Sequence, residues 1–441
     1  MQKMEPQVFD PTTYEVFHVD GWSFDQETMT VGLHYRLDQR LSLTETIDFS
    51  ALPKPASEAQ RTAFERCMSL LSVFAGTSYY KLAAPQRVVV NETRLSASAV
   101  ALATEVYRQG LAEFAYRNLL PGVLNVGLEV TTEDHSPLPL GGEGTLVPVG
   151  GGKDSIVTLE LLRRAGEKVT AFSVGDSAPI VSAARVAGTE LVVVRRTIDP
   201  QIRGLNQAGA YNGHIPVTAI NSVLACAAAV LLGCESVAMS NERTASAPSL
   251  YWQGAGVNHQ WSKSIDFETQ FAAVVHDDIA PDLTYFSMLR PLSELAIARI
   301  FSGMPEYFDT FISCNQYYKQ TGATASWCGE CDKCRFVFLL LAAWLDRKTV
   351  TGIFGRDLLA EPANLAGYRE LAGLAGPRPL DCVGEVDEVV HAFAILPAEW
   401  RSAEVVAAVT AELGSHQNDS VMEFSAHPMP ARFEEILRAA L

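Results

Sequence analysis

Two sets of residues in this 441-residue chain have the types and the spacing to do chemistry. The first is Gly150-Gly151-Gly152-Lys153-Asp154-Ser155, which follows the apolar run Thr145–Val149 and precedes a helical pattern. Consecutive glycines let a tight turn adopt positive φ and point backbone N–H groups outward. The following helix adds the partial positive charge of its N-terminus, a combination suited to phosphate. Ser155 supplies a hydroxyl in the first helical turn, and Asp154 can cap the helix or help hold Mg²⁺. The loop lacks the Walker spacing, because Asp154 follows the lysine, and it lacks the dinucleotide Gly-x-Gly-x-x-Gly pattern. The second set is Cys328-x₂-Cys331-x₂-Cys334, with Cys314 fourteen positions upstream. Four thiolates suit a closed tetrahedral Zn²⁺ site of structural type. An iron–sulfur cluster of the bacterial ferredoxin kind wants a further Cys where Phe338 stands.

Two polar stretches add candidates. Ser240-Asn241-Glu242-Arg243 and Asn258-His259-Gln260-Trp261-Ser262-Lys263 both follow a short apolar strand pattern, Ser236–Met239. In an open α/β sheet, ligands bind beyond the carboxyl ends of the strands. This places Asn241, Arg243, Asn258 and Lys263 as substrate-binding candidates and Glu242 and His259 as acid–base candidates. A solvated loop is the plainer reading of such runs. His214, in Asn212-Gly-His-Ile-Pro216, is a further acid–base candidate. So is Cys382, which lies outside the cysteine cluster and beside a Gly turn. A thiol is a suitable proton carrier; Cys226 and Cys234 read instead as buried apolar residues. Asp154 and Glu113 are lesser candidates.

Periodicity supplies the elements that must position these groups. Strand-like pieces begin at Glu15, Met29 and Glu45, and helical spacing runs over Ala56–Tyr80 and over Ala97–Leu119. Together they predict an N-terminal α+β domain over residues 1–140. A Pro/Gly-rich linker covers Leu138–Gly144. Then strand and helix alternate: Thr145–Val149, Ser155–Ala165, Lys168–Val174, Ala178–Ala187, Glu190–Val194, Ile220–Leu232 and Ser236–Met239. This alternation predicts a doubly wound, mostly parallel sheet over residues 141–300. Ser173, on the second of these strands, is assigned to the phosphate-binding site with the Gly150–Ser155 loop. Residues 301–441 read as a zinc-stapled, α-rich C-terminal part, with an apolar helix over Phe336–Leu345.

Composition bounds the function. The net charge of −17 disfavours nucleic acid, whose phosphates are met by Lys/Arg-rich surfaces. No run reaches the roughly 18 apolar residues of a membrane span. The N-terminal residues lack a secretory pattern, and clustered cysteines fit a reducing compartment, so a cytoplasmic protein is expected.

The Gly150–Ser155 loop resembles the PP-loop motif of N-type ATP pyrophosphatases, with Gly150 where Ser is commoner. That resemblance implies a HUP-like fold, ATP and Mg²⁺ as reactants, and cleavage between the α and β phosphates. With the four cysteines it resembles 7-cyano-7-deazaguanine synthase, which would imply a nucleobase- or RNA-modifying enzyme, but this chain is much longer. A non-enzymatic nucleotide-binding module is a third reading, disfavoured by the intact Lys153-Asp154-Ser155 run. The fuller resemblance is to the MurL family. It extends over Gly110–Asn118, Asn212–Ile220, Ser240–Ser246, Asn258–Ser264 and Pro379–Glu385. It implies ATP-dependent epimerisation of the terminal L-Glu of a UDP-linked muropeptide, a small-molecule substrate, with release of AMP and pyrophosphate.

Overall fold

A computed structural model of the chain describes residues 8–319, 326–376, 378–414 and 418–441. The strand-like pieces near the N-terminus form an antiparallel meander: β1 (Val16–Asp25), β2 (Thr30–Leu37) and β3 (Leu41–Asp48). In β2 every second residue is buried, the period of a strand with one face on a core. Helix α1 (Glu58–Tyr80) follows, capped by the Ser57 hydroxyl, which accepts a hydrogen bond from Gln60 N. Strand β4 (Arg87–Val90) and β5 (Gly127–Glu129) extend the meander by parallel pairing next to β1.

The single helix expected over Ala97–Leu119 is two: α2 (Ala97–Arg108) and α3 (Ala112–Asn118). The break falls at Gly110. A Cβ there would lie 2.3 Å from Val106 O and 2.9 Å from Pro216 Cβ. Close approach of Pro216 therefore demands glycine and turns the chain between the helices. Hydrophobic spacing stays in phase across the turn, so periodicity alone does not reveal it.

The second half alternates β6 (Thr145–Pro148), α4 (Lys153–Arg164), β7 (Val169–Val174), α5 (Ala178–Ala187), β8 (Leu191–Thr197), α6 (Gln201–Ala208), α7 (Val217–Leu232) and β9 (Ser236–Met239). A short hairpin, β10 (Leu250–Trp252) and β11 (Ala255–Val257), leads to α8 (Ile265–Val274) and β12 (Thr284–Ser287). The C-terminal part holds α9 (Glu294–Ser302), α10 (Asn315–Lys319), α11 (Asp332–Ala342), α12 (Arg347–Phe354), α13 (Leu365–Leu371), α14 (Val386–Ile395), α15 (Glu404–Leu413) and α16 (Ala431–Arg438).

These strands make one ten-stranded, mostly parallel sheet in the order β12-β9-β6-β7-β8-β3-β2-β1-β4-β5. The meander joins the parallel half through antiparallel pairing of β3 with β8, and Arg196 on β8 is paired with the buried Glu45 on β3. Both faces are covered. Leu146 and Val237 belong to a core shared with α1, α2, α7 and α8, whereas Val147, Val149 and Ala238 face a core shared with α4, α9, α11 and the C-terminal helices. Strands buried on both faces read as continuous apolar runs, which is how β6 and β9 read. Within the parallel half the order is β8-β7-β6-β9-β12, so the direction in which successive strands are laid down reverses between β6 and β9, although the two strands are parallel. A crevice at the carboxyl ends of such a pair is the usual ligand position in open α/β sheets. Among the described residues no helix is long and apolar enough to cross a membrane.

Candidate active site

The crevice between β6 and β9 opens into a cavity of about 330 Å³. One wall is the glycine turn. Gly150, Gly152, Asp154 and Ser155 line it, with Ser173 from the end of β7 and Asn241 just beyond β9. Two of the three glycines are demanded by their surroundings. A Cβ on Gly150 would meet nothing within 4 Å. Gly151 has φ +78° and passes close to Pro179, while a Cβ on Gly152 would sit 2.7 Å from Ser313 Oγ. The turn is closed by Ser155, whose Oγ accepts from Gly150 N at 3.2 Å and donates to Gly152 O at 3.1 Å. Ile312 N donates to Gly151 O at 2.9 Å, so the turn is pinned from the C-terminal part.

Helix α4 begins at Lys153, two residues earlier than its spacing suggests. That start puts Lys153 in the first turn facing inward, only 1% exposed. Its ammonium pairs with Asp154 and with the buried Glu294 at the start of α9, not with the cavity. Burial works against that ammonium, but the two carboxylates outweigh it and raise its pKa. Burial likewise opposes the charged form of Glu294, yet the cations of Lys153 and Lys333 hold its carboxyl down at about 2. The cations that do line the cavity are Lys263 and Lys333. Lys333 Nζ is 3.4 Å from Glu294 Oε1. Lys333 lies inside the cysteine motif, whose spacing draws the eye to its sulfurs alone.

Cys382, in a loop between α13 and α14, lines the same cavity as the glycine turn. Asp381 fixes this loop: its carboxylate accepts from Cys382 N at 2.6 Å and from Asn315 Nδ2. Arg378 ties it to the polar stretch after β9 by donating to Ala247 O and to Gly384 O. Around the thiol stand Lys263, with Nζ 3.7 Å from Sγ, and His259, with a ring nitrogen within 4.8 Å of it. Burial alone would push the Cys382 thiol up. Lys263 and His259 outweigh burial and hold it below the ordinary thiol range. His259 Nδ1 pairs with Glu113 Oε2, and Glu113 Oε1 accepts from Arg117 Nε at 2.6 Å. Burial again opposes the charged ring, yet Cys382 and Glu113 lift His259 to about 10. The ring of His214 lies 4.3 Å from that of His259. Burial, then the neighbouring charge of His259, brings His214 down to about 3, leaving it neutral.

The other candidates serve the walls. Glu242 is 3% exposed and outside the cavity lining; burial, then the charge of Glu294, raises its pKa. Arg243 spends its guanidinium on the carbonyls of Val421 and Glu423. Asn258 accepts from Gln260 N and donates to Ala245 O, shaping its own loop. The buried Arg290 clamps both polar stretches at once, donating to Glu242 O and Lys263 O at 2.6 Å while paired with Glu268. Nothing in its local sequence marks Arg290 for that task.

The sulfurs of Cys314, Cys328, Cys331 and Cys334 lie within 4.8 Å of one another. The Cys331–Cys334 and Cys328–Cys334 sulfurs are 3.4 and 3.7 Å apart. Four ligands about 2.3 Å from a tetrahedral Zn²⁺ are about 3.8 Å from each other, so the set could hold that ion with little movement. Cys314 sits between the cavity-lining Ser313 and Asn315, and Lys333 stands beside Cys334. A metal here would fix one side of the cavity without facing it.

Comparison with known proteins finds matches over most of the chain. The MurL N-terminal domain model matches residues 8–288, and the MurL C-terminal domain model matches residues 310–423. The chain is 46% identical over 404 residues to the UDP-N-acetyl-alpha-D-muramoyl-L-alanyl-L-glutamate epimerase of Salinispora tropica, covering 90% of this chain and 88% of that protein. It is 45% identical to the same-named protein of a Micromonospora species, covering 90% of each chain. The Xanthomonas oryzae pv. oryzae protein of that name is 39% identical, again over 90% of each.

Proposed function

The chain belongs to the MurL family, and from that premise we propose that it is an epimerase inverting the terminal glutamyl α-carbon of UDP-MurNAc-L-Ala-L-Glu, with ATP consumed to activate the carboxylate. The observation that carries this reading is that the glycine turn and Cys382 line one and the same cavity. Phosphate chemistry and proton transfer then act on neighbouring atoms of one bound substrate.

The need for activation is elementary. Removing the α-proton of a carboxylate places a second negative charge beside the first. In the proposed first step a carboxylate oxygen attacks the α-phosphorus of ATP. Pyrophosphate leaves, and the acid becomes a mixed anhydride with AMP. We assign the departing pyrophosphate to the Gly150–Ser155 turn, read as a PP-loop on a HUP-like sheet, with Lys333 and Ser173 adjoining. Asp154 is placed to help hold Mg²⁺, which would neutralise phosphate charge. The anhydride carbonyl can accept electrons, so a thiolate at Cys382 can take the α-proton: the C–H pair passes into an enolate and an S–H bond forms. Protonation from the opposite face by a solvent-exchangeable acid, then water attack on the anhydride, gives the D-glutamyl acid and AMP. Lys263, beside the thiol, is suited to offset the enolate charge. Lys153, Glu242 and Asn241 support the walls, and His214 stays a neutral neighbour of His259. The four-cysteine site is assigned a structural Zn²⁺.

The test is solvent exchange. In D₂O with ATP, the native chain should wash deuterium into the glutamyl α-carbon of the UDP-linked dipeptide, with AMP and pyrophosphate released. Pyrophosphate release without wash-in rejects the epimerase reading. Wash-in without ATP rejects the activation step.

A further inference from the structure

The first block of the chain, β1 to β5, extends the sheet and carries no residue of the cavity lining. Yet Glu113, on α3 of that block, is 4% exposed and reaches the second half of the molecule. One carboxylate oxygen accepts from Arg117, and the other pairs with His259 Nδ1. We propose that Glu113 is the positioning residue of a Cys382–His259 proton-transfer pair, so that the first block completes the acid–base side of the active site.

This inference rests on the epimerase reading for its chemistry but not for its geometry. With Nδ1–H committed to a carboxylate, the ring has one tautomer when neutral, and Nε2 is left to take the thiol proton. Glu113 then faces an imidazolium and stabilises it, as the acidic member of other nucleophile–base triads does. Proton flow balances: the thiol proton moves to His259, the thiolate takes the α-proton, and the imidazolium remains charged beside the developing enolate. No oxidant or further reactant is required.

The placement of Glu113 is built into the fold. Gly110 turns α2 into α3 where a Cβ would strike Pro216, two residues after His214. The Asn212–Pro216 loop is tied to the first block by Lys81 Nζ, 2.9 Å from Asn212 Oδ1, and by Asn118 Nδ2, 3.1 Å from Asn212 O. One turn thus fixes the carboxylate and the loop carrying His214 together. The charged and titratable groups facing the pair are Lys263, Lys333 and Asp381 around the thiol, and His214 and Arg117 around the carboxylate. His214 is itself faced by Lys81.

Iodoacetamide alkylation of the full chain, followed at the Cys382 peptide by mass spectrometry, reads the thiolate directly. The native profile should titrate below the ordinary thiol midpoint of about 8.5. Glu113→Gln should move that midpoint up by about one unit, a roughly tenfold loss of reactivity near neutral pH, and Glu113→Asp should fall between. In the same variant, kcat for α-deuterium wash-in should fall at least about tenfold more than pyrophosphate release, with KM little changed. An unchanged alkylation profile in folded Glu113→Gln overturns the proposal. A measurement on the native chain stands whether or not the variants fold. By ¹⁵N NMR, one of the nine histidines should stay doubly protonated above about pH 8. A native chain in which every imidazole is neutral by that pH also overturns it. Because neither alkylation nor NMR needs the muropeptide, their failure is distinct from failure of the epimerase reading, which shows as missing wash-in in the native enzyme.

Discussion

The two walls of the cavity are built in opposite ways. The phosphate wall is local: Gly150, Gly152, Asp154 and Ser155 come from six consecutive residues between one strand and one helix. The proton-transfer wall presents Cys382 to the cavity, backed by Glu113, His214 and His259, which do not line it; these four are 45 to 123 positions apart in order. A backbone turn can present N–H groups without help from distant residues. A thiolate in a buried site needs several charges brought to it, because burial by itself disfavours ionisation. One wall can therefore be written as a motif, and the other has to be folded.

The sharpest way to break the contrast is to remove one wall at a time. Asp154→Ala or Ser155→Ala should cut pyrophosphate release and wash-in together, by about 10²-fold or more, because proton removal depends on activation. Cys382→Ala should cut α-deuterium wash-in by about 10³-fold while pyrophosphate release persists. If Cys382→Ala abolishes both equally, the walls are one functional unit and the division fails.

Metal removal probes what joins the walls. Stripping the ion from Cys314, Cys328, Cys331 and Cys334 with a chelator should lower unfolding stability by roughly 3 kcal/mol or more and slow turnover through displacement of Ser313, Asn315 and Lys333. Unchanged thermal melting after confirmed metal loss would deny the staple.

The smallest effect is in pH dependence. His259 is raised to about 10 in the fold, so its contribution to stability is complete below its ordinary value near 6.5 and is lost as pH rises through 10. Glu388, raised to about 8 by burial, then by the charge of Glu294, also lowers stability as pH rises from 4.5, but its effect ends near 8. Lys81, lowered to about 8 by burial, works in the opposite direction at higher pH. The diagnostic is therefore a difference: between about pH 8 and 10 the native Tm should fall more steeply than that of His259→Asn. Parallel curves would show that His259 carries no such charge.

Much of the architecture is legible in the residues. Alternation after residue 145, the apolar strands β6 and β9, and the four-cysteine spacing each follow from short-range rules, and each is met by the structure. The turn at Gly110 was not legible, since the apolar spacing of α2 and α3 stays in phase and only the nearness of Pro216 demands the break. Lys153 reads as a phosphate ligand, yet the start of α4 turns it toward Glu294. Lys333 and Arg290 carry no local signal, because their importance lies in what approaches them.

What the sequence by itself determined is whatever depends on neighbours along the chain: the glycine turn, the strand–helix rhythm, the cysteine quartet and the family likeness. What only the tertiary structure decided is which charges meet. The protonation of Cys382, His259 and Glu113 is set by distances of a few ångströms between groups far apart in sequence, and electrostatic energy in a buried site depends on those distances and on exclusion of water. Spacing along the chain cannot specify either.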